Sequence, residues 1–132
     1  MTAHASWFRA VPLACWLCAL VVPTYTIAAP RTFVSTSGND ASACSLVQPC
    51  RSFGAALAKT NSGGEVIVLD SGGYGPVTVF YPVSITAPPG VYAGITVTSG
   101  TGMLVRTAFV GTAVVLRGLT FVHQGGDTAI TY

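Results

Sequence analysis

The chain has 132 residues, 51% of them hydrophobic and only 8% charged, with a formal net charge of +2. That length suits one small domain, and so few charges exclude both a charged disordered chain and a basic nucleic-acid-binding stripe. Seventeen Val, 16 Thr and 15 Gly stand against a single Lys, which points to strands punctuated by turns.

Residues 1–28 read as a signal peptide. Arg9 precedes an apolar run from Val11 to Val22, which Pro23 and Thr24-Tyr25-Thr26 interrupt after twelve residues. A spanning helix needs about 20. Small residues at Thr26 and Ala28 place cleavage between Ala28 and Ala29. An uncleaved membrane anchor is the alternative. Cleavage implies a secreted, periplasmic or cell-surface protein with no membrane attachment after processing.

Cys15-Trp16-Leu17-Cys18 matches C-x-x-C but falls inside the leader. That leaves Cys44 and Cys50, with five residues between them. In an exported chain this pair reads as a disulfide, worth about 2 kcal/mol in the chain-entropy model. A metal site needs further soft ligands, and His123 is the only histidine after the leader. Neither a metal nor a cofactor is expected.

Residues 29–64 form the first unit. Arg31 to Ser35 alternates polar and apolar, as a short strand does. A turn at Ser37 to Asp40 and the cysteine loop follow. Ser52 is placed to cap a helix through Lys59, with Phe53, Ala56 and Leu57 on one face. Asn61-Ser62-Gly63-Gly64 is expected to stop it. Residues 65–132 have no helical period. Short apolar segments recur at Val66–Leu69, Val77–Val79, Val83–Ile85, Ile95–Val97, Met103–Val105, Val114–Leu116, Leu119–Phe121 and Ala129–Thr131. Thr78, Thr96 and Val115 are spaced by 18 and 19 residues, and Ile85, Leu104 and Thr120 by 19 and 16. Two short strands per period, stacked as repeats, account for this. The fold class is therefore all-β, as about three coils of a parallel β-helix behind a short N-terminal capping α-helix. A β-sandwich is the alternative, although the chain has no Asn-Gly or Asp-Gly hairpin signal.

Three groups of residues carry a family resemblance. They are Val34-Ser35 with Gly38-Asn39-Asp40; Pro49, Arg51-Ser52-Phe53 and Ala56-Leu57; and Gly63-Gly64 with Val66-Ile67-Val68. This pattern resembles the N-terminal entry of secreted right-handed parallel β-helix proteins of the pectate-lyase-like superfamily. Leu116-Arg117-Gly118-Leu119-Thr120-Phe121 is similar to their recurring coil strand. The resemblance covers residues 31–132 and implies a right-handed helix whose first coil is covered by α-helix. It implies activity far less, because one fold hosts many functions.

Enzymes of that superfamily use clustered acids. After the leader the chain has Asp40, Glu65, Asp70 and Asp127, and no pair of them recurs at the 18–19-residue spacing. His123 has only Asp127 near it, which does not make a triad. No catalytic residue is assigned, and whether a larger enzyme is involved stays open. Tyr74, Tyr81 and Tyr92 are the candidate carbohydrate contacts, with polysaccharide as the partner. Val115, Leu119 and Phe121 are expected inside the last full coil, with Ile130 beginning the next. That coil would end in apolar residues and an unpaired edge, a surface for self-association. Three functions follow: an exported β-helix scaffold module, the first part of a polysaccharide lyase or glycoside hydrolase, or a carbohydrate-binding adhesin module.

Overall fold

The computed structural model describes residues 29–107 and 113–132. The predicted leader, with its cleavage residue Ala28, lies outside them, whereas Ala29 opens the first strand. Among the described residues the chain is all-β apart from one short helix, and every strand pairing is parallel.

The elements run in chain order. Strand β1 (Ala29–Val34) leads through the cysteine loop to helix α1 (Phe53–Leu57). A first tier follows: β2 (Thr60–Val68), β3 (Gly72–Gly73) and β4 (Val77–Val79). The second tier is β5 (Val83–Thr86), β6 (Ala93–Val97) and β7 (Thr101–Val105). The third is β8 (Val114–Arg117), β9 (Leu119–His123) and β10 (Thr128–Thr131). They assemble into three sheets, ordered β1-β2-β5-β8, β3-β6-β9 and β4-β7-β10. The chain thus visits the three sheets in turn and lays each tier on the one before.

Alternation decides what faces inward. Val83 and Ile85 of β5 are buried while Ser84 and Thr86 are partly exposed. Parallel register then stacks like on like. Thr32, Val66, Ile85 and Leu116 form one inner row, and Ala93 lies over Leu119 as Ile95 does over Phe121. The inner row is apolar except at Thr32. There Thr32 Oγ1 meets Thr60 Oγ1 at 2.7 Å, and Thr60 donates to the Ala56 carbonyl at 2.7 Å. A buried hydroxyl chain therefore ties β1 and β2 to the helix, leaving no polar cost.

Helix α1 begins where expected. Ser52 is extended, and its hydroxyl accepts from the Ala55 N–H at 3.3 Å. Phe53, Ala56 and Leu57 are buried, and the helix packs on β1, β2 and β4. The helix does not stop at Asn61–Gly64 as expected. Strand β2 already starts at Thr60, pairing with Ala29, and resumes pairing at Glu65 opposite Arg31. Asn61 to Gly64 thus bulges opposite Pro30, which has no N–H to hold the ladder.

The repeat expectation needs correction. Thr78, Thr96 and Val115 lie in β4, β6 and β8, one in each of the three sheets, and so do not stack. The same holds for Ile85, Leu104 and Thr120. Each tier carries three strands, not two. Thr78 pairs with Leu104 and Thr96 with Val122. Val115 is corrected too: it pairs with Ser84 on the outer side, while Val114 and Leu116 pack on the core. Leu119 and Phe121 do pack inward. Ile130 does not begin a new turn. It sits over Met103 in the third tier.

Gly118 makes the single-residue corner between β8 and β9. Its φ is +69°, and a Cβ there would stand 2.5 Å from the Ala87 carbonyl oxygen. Only glycine fits both constraints.

Candidate functional site

The densest polar constellation lies where β1 and β2 leave their sheet. Val34 pairs with Val68, so the residues just beyond them, Thr36 and Asp70, come side by side. The Asp70 carboxylate accepts from Ser35 Oγ at 2.7 Å, the Thr36 N–H at 2.8 Å and Thr36 Oγ1 at 3.1 Å. The Tyr74 hydroxyl also donates to that carboxylate and lies 2.6 Å from the Asp70 carbonyl. Burial raises the carboxyl pKa, but the donors Tyr74, Ser35 and Thr36 outweigh it and hold Asp70 at about 2. Burial, and then the Asp70 carboxylate, push the Tyr74 hydroxyl well above its ordinary value.

A second carboxylate closes the helix start. Asp40 accepts from the Arg51 N–H at 2.7 Å, the Ser52 N–H at 2.9 Å and Ser52 Oγ at 2.9 Å. Burial opposes these bonds, yet they win, and its pKa falls below the ordinary value. Glu65 accepts from Arg31 at 3.1 Å and from Thr86 Oγ1 at 3.3 Å, linking three neighbouring strands on the outer side. Asp127 stands apart, its N–H donating to the Gly100 carbonyl. His123 donates from its ring to the Gly126 carbonyl. Among the described residues no three His, Cys, Asp or Glu side chains gather as a metal site.

The expected disulfide is present: Cys44 and Cys50 are bonded, with both residues buried. The loop they close pairs with β1. Phe33 N–H donates to the Cys44 carbonyl at 2.8 Å, and Cys50 N–H donates to the Phe33 carbonyl at 2.9 Å. The outer edge of β1 is thereby covered.

The tyrosines separate. Tyr74 is 1% exposed, which corrects its place as a carbohydrate contact. Its ring packs 5.2 Å from that of Phe53, and the Arg51 guanidinium lies over it at 5.8 Å. Tyr81 is half-buried, and its hydroxyl donates to the Leu57 carbonyl at the helix end. Burial raises its pKa. Of these three candidates Tyr92 alone is open, at 46% exposure, and its ring lies across Gly94. Leu46, Val47 and Phe80 are also exposed, and none was marked by the sequence. The Asp70 cluster was missed as well. Its signal is a separation of 34 residues, shared by Arg31–Glu65 and Thr36–Asp70, which emerges once the β1–β2 register is known.

Comparison with protein-family models, curated proteins and solved structures finds no match for this chain. Among the described residues no helix is long and apolar enough to cross a membrane.

Proposed function

We propose that the chain is an exported structural module, a right-handed parallel β-helix with residues 29–64 as its cap and 65–132 as its coils. One observation carries this reading: tiers of three strands stack in parallel, and α1 with the disulfide loop packs at the β1 end. Such stacking supplies the core that one tier lacks. The resemblance to secreted pectate-lyase-like proteins points the same way. In this reading Asp40, Glu65 and Asp70 are fastenings, since each carboxylate accepts hydrogen bonds that join successive segments. The module serves as a periplasmic, secreted or cell-surface scaffold. Expression from Met1 in a secreting host tests it. The exported protein is expected to begin at Ala29 and to carry no free thiol, whereas protein retained with Met1 overturns the reading.

Tyr92 favours a second reading, a polysaccharide-contacting module, because an exposed aromatic face can stack on a sugar. Binding to an immobilised polysaccharide panel that disappears in Tyr92→Ala supports it. Release of reducing or unsaturated ends from those polysaccharides would instead favour the first part of a lyase or hydrolase. The third-tier edge is also the proposed surface for self-association, read by size-exclusion chromatography of residues 29–132.

A further inference from the structure

Among the described residues the disulfide has a cation on one side only. Lys59 Nζ stands 3.7 Å from Cys50 Sγ, and it donates to the carbonyls of Asp40, at 2.8 Å, and of Ser42. Cys44 Sγ instead stands 3.7 Å from the Ala55 carbonyl oxygen. The Ser42 carbonyl also lies 3.7 Å from Cys50 Sγ, but it already accepts from Lys59. Other charges near this corner are engaged elsewhere. The Asp40 carboxylate accepts from Arg51 and Ser52 and also feels the Lys59 charge, the Arg51 guanidinium donates to the Gly73 carbonyl, and Arg31 pairs with Glu65. Helix α1 contributes no ionisable side chain.

We propose that Lys59 makes the two sulfurs unequal, so that thiol exchange places a small-thiol adduct on Cys44 and leaves Cys50 as the free thiolate. An ammonium favours a thiolate beside it, and a carbonyl favours the protonated thiol that can donate to it. In exchange, the sulfur that forms the better-stabilised thiolate is the better leaving group.

The step balances as follows. Both cysteines are buried in the closed loop, so a thiolate of a small thiol, such as glutathione, attacks Cys44 Sγ when the 44–50 loop opens locally. The Cys44–Cys50 bond breaks, and its electron pair leaves on Cys50 Sγ beside Lys59. A second thiolate attacks the glutathione sulfur of the adduct and frees Cys44 Sγ, which takes a proton. Two glutathiones are oxidised to their disulfide, and the protein disulfide gains two electrons. Closure runs the same path backwards, with the Cys50 thiolate attacking Cys44 Sγ and expelling the glutathione thiolate. Lys59 is a positioning residue in both directions.

The test uses the oxidised protein in a glutathione and glutathione-disulfide buffer at neutral pH. Free thiols are trapped by alkylation, and fragment ions between Cys44 and Cys50 locate the adduct. The native protein is expected to carry glutathione on Cys44 in about threefold excess, the partition that one unit of leaving-group acidity gives at partial sensitivity. In Lys59→Met the excess should fall towards one, and opening should slow about threefold, given the partial sensitivity of exchange to thiol acidity. Lys59→Arg should retain the excess. The same protein in urea is expected to show no preference, which separates the effect of the cap from that of the local sequence. Equal adducts in the native protein, or an excess unchanged by Lys59→Met, overturn the proposal.

Discussion

Ile130 lies over Met103 in parallel register, yet Met103 is fully buried and Ile130 is 36% exposed. Both occupy the same inner row, which begins at Val77. The difference is position: Met103 has a tier on either side, whereas β10 pairs only with β7 among the described strands. Truncation should follow that gradient. Met103→Ala is expected to cost about 2–5 kcal/mol, as buried Met does, and Ile130→Ala markedly less. Denaturant unfolding of the two variants measures the gap, and equal losses would show that Ile130 is covered in solution.

The Asp70–Tyr74 pair should shape stability at both ends of the pH scale. Asp70 has a folded pKa of about 2, below its unfolded value near 3.9. Its contribution is therefore present above pH ~4 and is lost as pH falls towards 2. Discounted for partial solvent screening, it is worth about 1–2 kcal/mol. Asp70→Asn should lose that amount at neutral pH and flatten the acid limb, leaving the smaller slope due to Asp40. Tyr74 is shifted upward, so its contribution is present below pH ~10 and is lost above it. Tyr74→Phe should flatten the alkaline limb. Thermal unfolding from pH 2 to 11 checks both signs.

At the helix start, Ser52 both accepts from Ala55 and donates to Asp40. Ser52→Ala is expected to destabilise the protein by about 1 kcal/mol, as cap removals do. Because Asp40 and Ser52 share bonds, the double variant with Asp40→Ala should lose less than the sum of the single losses. A double-mutant cycle in urea gives the coupling directly.

Gly118→Ala tests the tight corner. The new methyl meets the Ala87 carbonyl oxygen, and the residue must hold a φ of +69°. Such a conformation costs about 1–3 kcal/mol for a non-glycine residue. Faster hydrogen exchange at the Ala87 amide, which donates to the Arg117 carbonyl at 2.9 Å, is expected with it, because the corner aligns β8 on β5.

Short-range features of this protein were legible in its residues. The Ser52 cap, the Phe53–Ala56–Leu57 face, the paired cysteines and the Val-rich strands all depend on neighbours within a few positions. Each appears where the local chemistry places it. Stacking register was not legible. Alternation says which side of a strand is buried, but not which strand lies beside it. That depends on corner length, and corners here range from Gly118 alone to the longer turn between β5 and β6. Thr78 and Thr96, 18 residues apart, therefore fall in different sheets, while Val66 and Ile85, 19 apart, are true partners. Tyr74 shows the same limit. Beside Gly-Gly it reads as an exposed turn aromatic, and only the arrival of Phe53, Arg51 and Asp70 around it decides that it is buried. Local propensity is set by the chain near each residue, whereas burial and register are set by segments that meet only after the tiers have stacked.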